Sequence, residues 1–189
     1  HHFSKWNHNA QRKKNVQMHI QDGRTFTRWS KNNYDVITLE PMSPIQAGTV
    51  NLYSREFYQL AANRLNENGI MMQWLPLHLV GKDDAKSILK TFQKVFPHTS
   101  IWNSFLTRIV LLVGSKDKIA LDKIRFEELM RLPNIKITAQ QIGINSFLDF
   151  TDFFLTNTNN VDSFIQNADL ITDDRPLLEF SPVAFLPPL

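Results

Sequence analysis

Residues Tyr34 to Tyr58 read YDVITLEPMSPIQAGTVNLYSREFY, and this stretch decides the fold. Tyr34, Val36, Ile37 and Leu39 are aromatic, β-branched or aliphatic. Asn32 and Asn33 precede them and Pro41 and Pro44 follow, which predicts a short strand ending at Leu39. Glu40 then stands at the strand's carboxyl end. Pro41 cannot donate to a sheet ladder and holds Glu40 extended, so the chain leaves the sheet there and carries the carboxylate toward the crevice above the strand ends. Open α/β sheets bind ligands at that place. Ser54 fits a helix N-cap, with Phe57, Tyr58, Leu60, Ala61 and Leu65 as the buried stripe of the helix that follows.

Working outward, Asn15 to Ile20 reads as a strand ended by Asp22-Gly23, and Thr25 to Lys31 as a short helix turning Phe26 and Trp29 inward. Asn66 to Gly69 predicts a turn and Ile70 to Leu75 the next strand. In Lys82 to Val95, Ala85, Ile88, Leu89, Phe92 and Val95 recur at helical spacing, and Phe96-Pro97-His98 closes that helix. Thr99 to Asn103 and Arg108 to Gly114 form an antiparallel hairpin of the kind that completes mixed sheets. Beyond Ser115, helices are expected over Leu121 to Leu132, Ile142 to Leu155 and Val161 to Ala168. Phe147, Phe150, Phe153, Phe154 and Phe164 are read as core packing rather than a ligand pocket. With no Gly/Ser-rich linker, the chain divides into a sheet region over 1–115 and a helical extension over 116–189 packed on the same domain.

The 189 residues, 42% hydrophobic, suffice for one sizeable core. No apolar run approaches the roughly 18 to 20 residues that span a bilayer; the longest, Ile109 to Val113, is strand-sized. The amino terminus lacks the apolar segment of a signal peptide, so the default compartment is the cytoplasm. Zero cysteines exclude disulfides, thiolate metal sites and a thiol nucleophile. The net charge of +3 owes much to Lys5, Arg12, Lys13 and Lys14. These residues, with Trp6 nearby, read as a solvated helix end rather than a nucleic-acid surface. His1, His2 and His8 have no carboxylate at ligand spacing, so no metal is expected.

Four phrases stand out: DGR at Asp22 to Arg24, YDVI followed by a carboxylate and Ser-Pro, LYSREFY at Leu52 to Tyr58, and GIMMQW at Gly69 to Trp74. Together they resemble the spermidine synthase (polyamine aminopropyltransferase) family. The closing ITDDRPLLEF at Ile171 to Phe180 is similar to a bacterial branch often fused to transmembrane segments, so a longer protein with membrane segments is one expectation. The resemblance implies a Rossmann-type, class I methyltransferase-like α/β sheet. It also implies a strand with a glycine-rich loop, and a second strand ending in an acidic residue, ahead of the residues seen here. The six glycines are scattered and form no such loop. The chain therefore reads as the carboxyl-terminal portion of a longer domain, truncated at its amino end and inactive by itself.

The chemistry implied is attack by a neutral amine on the methylene beside the sulfonium of decarboxylated S-adenosylmethionine, a co-substrate rather than a tightly bound cofactor. Glu40 occupies the position of the catalytic base, while Asp22 and Gly23 match the nucleoside contacts. Gln73 and Trp74 end a central strand and are expected to face the crevice, and Ser43 joins them as a substrate-binding residue. The family usually carries aspartate where Glu40 stands and a second aspartate in place of Ser43. Glu40 is otherwise a strand-end carboxylate that caps backbone or pairs with Arg24. Asp173, Asp174 and Arg175 are read as caps anchoring the terminal segment. Two alternatives stay open: an S-adenosylmethionine-dependent methyltransferase, and a non-catalytic polyamine- or nucleoside-binding domain. Expected partners are a small polyamine and a nucleoside, with no nucleic acid. The Asn15 to Ile20 strand is expected either to pair with Tyr34 to Leu39 or to leave an edge that a homo-oligomer closes.

Overall fold

The computed structural model describes residues 9–41 and 43–182, so the readings of Lys5, Trp6 and the three amino-terminal histidines lie outside the described residues. The chain forms two compact units, His1–Ser30 and Lys31–Leu189.

In the first unit Asn15 to Ile20 does not form a strand. The alternation that suggested one is real, but Val16, Met18 and Ile20 are all exposed, Ile20 at 96%. A strand needs a partner ladder, and alternation alone does not supply one. Helix α1 (Gly23–Trp29) starts two residues earlier than expected, because Asp22 caps it by accepting the Thr25 N–H at 2.7 Å. Phe26 meets His19, with ring centroids 4.7 Å apart. Trp29 points outward, 76% exposed, against expectation.

The second unit is a mixed α/β structure built on five strands. Strand β1 (Tyr34–Leu39) runs parallel to β2 (Leu65–Pro76), with Val36 opposite Ile70 and Leu39 opposite Gln73. The expected turn at Asn66 to Gly69 is an irregularity inside β2: pairing slips between Tyr34 and Val36, and Asn68 adopts φ 58°. Asparagine tolerates that left-handed region better than most residues. Strands β3 (His98–Asn103) and β4 (Ile109–Ser115) form the expected antiparallel hairpin, β4 pairing antiparallel with β2. The order is β1-β2-β4-β3-β5, where β5 (Phe154–Asn157) takes its first two residues from the end of the helix expected over Ile142 to Leu155. Among the described residues β1 pairs with β2 alone. Because β2 and β3 both run antiparallel to β4, the carboxyl ends of β1, β2 and β3 share one end of the sheet. Glu40, Leu77 and Ser104 follow directly from those ends.

Helix α2 (Arg55–Ala62) and helix α3 (Lys82–Val95) cover one face, and both match expectation except that Leu65 belongs to β2. Phe57, Tyr58, Ala61, Ile88, Phe92 and Phe96 pack there against Met71, Leu75, Ile101 and Leu112 in the main core. Gly114 permits the closeness of α3 to β4, since a Cβ there would lie 2.5 Å from the Phe92 ring.

After Ser115 the expected three helices become four short ones and a strand. Helix α4 (Lys123–Met130) stops before Pro133, which opens α5 (Pro133–Gln141) at the position where its missing N–H costs nothing. Gly143 at φ 84° and a Ser146/Asp149 capping box then separate α5 from α6 (Phe147–Thr151). The chain next returns to the sheet as β5, and α7 (Thr158–Ile165) follows with Asn157 as its cap. The phenylalanines of this region are not a closed core: Phe154 and Phe164 are 39% and 45% exposed. Among the described residues no helix is long and apolar enough to cross a membrane.

Candidate active site at the carboxyl end of the sheet

The chain emerges from β1 at Glu40, whose side chain is exposed, and turns through Pro41 into a loop that ends at Gly48. Pro44 is buried and Ser43 half-buried, so the loop lies against the domain. Its turns are closed by Gln46 N–H to Ser43 O at 3.3 Å and Thr49 N–H to Gln46 O at 2.9 Å. Gly48 takes φ 81°, a conformation that glycine adopts without strain. Its N–H donates to Glu179 Oε1 at 3.0 Å.

That contact belongs to a strap running from Ile171 to Ser181. Arg55 N–H donates to Ile171 O at 2.9 Å and Ser54 Oγ to Asp173 Oδ1 at 2.6 Å, while Asp173 N–H donates to Glu56 Oε2 at 3.0 Å. Ile171 N–H reaches the buried Thr91 Oγ1 of α3 at 2.9 Å, and Ser181 Oγ donates to Asp84 Oδ2. Asp173 therefore anchors the terminal segment, as its setting suggested. Asp174 accepts from Thr172 Oγ1 at 2.6 Å, which holds its carboxyl below the usual range. Sequence reasoning missed Glu179; a lone glutamate 131 residues from its partner leaves no local signal.

Gln73 and Trp74 do not face the crevice together. Adjacent strand residues point to opposite faces, so the structure separates them. Gln73 is fully buried on the α2/α3 side, beside the equally buried Tyr53 and Tyr58. The two hydroxyls and both ends of the Gln73 amide come near each other, yet no well-aligned hydrogen bond joins them. Burial pushes both phenols up from their ordinary value, and Gln73 offsets this slightly.

Trp74 turns to the other face. There, with Met72, Trp102, Leu111, Phe105 and Phe150, it lines an apolar cavity of about 350 Å³. Trp102 stacks on Phe150 at 5.3 Å, and Phe105 meets Trp74 edge-on at 6.4 Å. A larger hollow, about 720 Å³, lies between α4 and α6, but no strand-end residue lines it. The aromatic tip Phe105-Leu106 was the available sequence signal, because apolar residues in a hairpin turn face neither a core nor a ladder.

Asp22 and Gly23 lie in the first unit. One Asp22 oxygen is committed to the α1 cap, and the Thr25 amide holds this carboxyl below its ordinary value. Nothing lies within 4 Å of where a Gly23 Cβ would stand, so the backbone there is open to close approach. Among the described residues no cluster of three or more metal-ligating side chains occurs.

Comparison with known proteins matches residues 2–114 to the spermine/spermidine synthase domain. A polyamine aminopropyltransferase from Buchnera aphidicola subsp. Schizaphis graminum is 25% identical over 158 residues, covering 81% of this chain and 54% of that protein. The crystal structure of spermidine synthase from Thermotoga maritima superposes with a TM-score of 0.63 at 19% identity, covering 87% of this chain and 54% of that one. Human methyltransferase-like protein 13 in complex with SAH gives 0.50 at 14% identity, over 94% and 71%. The fold is thus of the Rossmann, methyltransferase-like type. The chain spans about half the length of the aminopropyltransferase and spermidine synthase it matches.

Proposed function

The chain belongs to the spermine/spermidine synthase family, and on that footing we propose that its second unit carries the acceptor side of an aminopropyl-transfer site centred on Glu40. The observation that carries the reading is the exposed Glu40 carboxylate at the end of β1, on a loop pinned through Gly48 to Glu179.

In the proposed reaction the amine lone pair attacks the methylene next to the sulfonium of decarboxylated S-adenosylmethionine. The new C–N bond forms as the C–S bond breaks, and its electron pair neutralises sulfur to give methylthioadenosine. Before the attack Glu40 takes one proton from the protonated amine and so frees its lone pair, and the product leaves as a secondary ammonium. Most amines are protonated at neutral pH, so a nearby carboxylate both orients the nitrogen and takes the proton. Ser43, in the same loop, offers a hydroxyl to the acceptor. In the first unit, taken by itself, Asp22 and Gly23 are the residues proposed to contact a nucleoside.

Turnover by this chain alone is not expected, since none of its six glycines forms a phosphate- or nucleoside-cradling loop. Calorimetric titration of decarboxylated S-adenosylmethionine and S-adenosylmethionine, each with and without putrescine, tests the reading. It is run on this chain and on a version extended by the strand and glycine-rich loop that the family resemblance implies. Binding of the decarboxylated nucleoside to the extended form, with amine binding weakened by Glu40→Gln, is the expected result. Preference for S-adenosylmethionine favours a methyltransferase instead, a reading that the likeness to methyltransferase-like protein 13 supports. Binding of neither nucleoside removes the enzymatic reading.

A further inference from the structure

We propose that the acceptor is a primary amine with an apolar tail, and that the cavity on the Trp74 face holds this tail. The inference rests on the aminopropyl-transfer reading above and specifies its acceptor.

Two features of the sheet bring the cavity to the site. Leu39 pairs with Gln73, so Glu40 and Trp74 are the next residues along two adjacent parallel strands. Neighbouring strands lie about 4.8 Å apart, a span that a few methylenes cross. The cavity also reaches the crevice end of the sheet, because Asn103, Ser104 and Phe105, at the end of β3 and in the hairpin tip, line it. An amine held at Glu40 would therefore extend its substituent along Trp74 toward Phe105.

The lining chemistry selects the substituent. None of the residues around the cavity is charged, and the sheet contributes Met72, Trp74, Trp102 and Leu111 to its wall. A diamine placed there would bring its second ammonium to a surface with no carboxylate to pair it, a costly desolvation. Ser43, in the loop after Glu40, supplies no second carboxylate either. An alkyl or aryl tail instead gains from every methylene it buries. About 350 Å³ is near the lower end of small-molecule pockets and so suits a short alkyl or aryl tail.

The test is titration of n-hexylamine and of putrescine into the full chain, followed by calorimetry and by the fluorescence of Trp74 and Trp102. Hexylamine is expected to bind at least tenfold tighter than putrescine. Trp74→Leu should weaken hexylamine at least fivefold. Phe105 is 59% exposed, so Phe105→Ser leaves the fold intact and should weaken hexylamine in the same direction. Putrescine binding as tightly as hexylamine, or hexylamine binding indifferent to both substitutions, overturns the proposal. These titrations contain no nucleoside. If hexylamine binds as expected while neither nucleoside binds the extended chain, aminopropyl transfer fails and the cavity's ligand class stands. The converse pattern overturns the cavity alone.

Discussion

Ser54 Oγ lies 2.6 Å from Asp173 Oδ1, a contact that joins the start of α2 to a segment 119 residues later. The same oxygen accepts the Phe57 N–H at 3.2 Å, the N-cap bond that the sequence predicted. A hydroxyl has one proton, and the shorter contact to a carboxylate claims it over Asn51 O at 3.1 Å. With Arg55 N–H donating to Ile171 O, the strap satisfies backbone groups that a helix leaves unpaired at its first turn.

Ser54→Ala should therefore cost about 1–2 kcal/mol, the loss of a cap plus the loss of the Ser54–Asp173 hydrogen bond. Asp173→Asn keeps an acceptor oxygen and should cost less. In urea unfolding the double substitution should fall short of the sum of the singles, because the two side chains share one bond. Full additivity would show that the strap does not depend on this contact.

Glu179 acts locally. Glu179→Gln should leave global stability within about 1 kcal/mol of the parent, because the bond is exposed. It should nonetheless raise the hydrogen-exchange rate of the Gly48 amide roughly tenfold, since a charge-assisted acceptor is replaced by a weaker neutral one. An unchanged Gly48 rate would mean that the loop is held by Pro44 packing alone.

Gly114→Ala places a methyl 2.5 Å from the Phe92 ring and 2.6 Å from the Phe96 Cβ. Neither ring can swing away, because both are fully buried and contact each other at 4.8 Å. The substitution should cost about 1–3 kcal/mol by overpacking. Combining it with Phe92→Leu should recover part of that loss in thermal unfolding, although Phe92→Leu alone destabilises.

The Tyr53, Tyr58 and Gln73 group predicts an alkaline limit to stability. Both phenols titrate higher in the folded chain than their ordinary value of 10, because burial disfavours the phenolate. A raised folded value contributes stability that is fully present below pH 10 and is lost as pH rises beyond it. Tyr58→Phe should make that decline shallower. At neutral pH it should be neutral or stabilising by up to about 1 kcal/mol, since the hydroxyl it removes has no well-aligned partner. A loss of several kcal/mol would show that the hydroxyl is hydrogen-bonded after all.

The readable elements were those with a complete local code. β1 was bounded by asparagines and prolines, α2 by its serine cap and α3 by its spacing, and all three stand where the residues placed them. Asn15 to Ile20 and Ile142 to Leu155 misled for one reason. Periodicity reports which side chains want burial, whereas strand or helix identity there depends on whether a ladder partner exists. β5 has one in β3, and Asn15 to Ile20 has none among the described residues.

The sequence by itself determined the position of Glu40, because strand patterning followed by Pro41 dictates where the chain must leave the sheet. It could not determine what surrounds that carboxylate. Whether Gln73 is core and Trp74 cavity wall follows from which sheet face α2 and α3 cover, and the tie from Glu179 to Gly48 follows from the path of the returning strap. Both are contacts between residues distant in the chain, and local spacing carries no record of them.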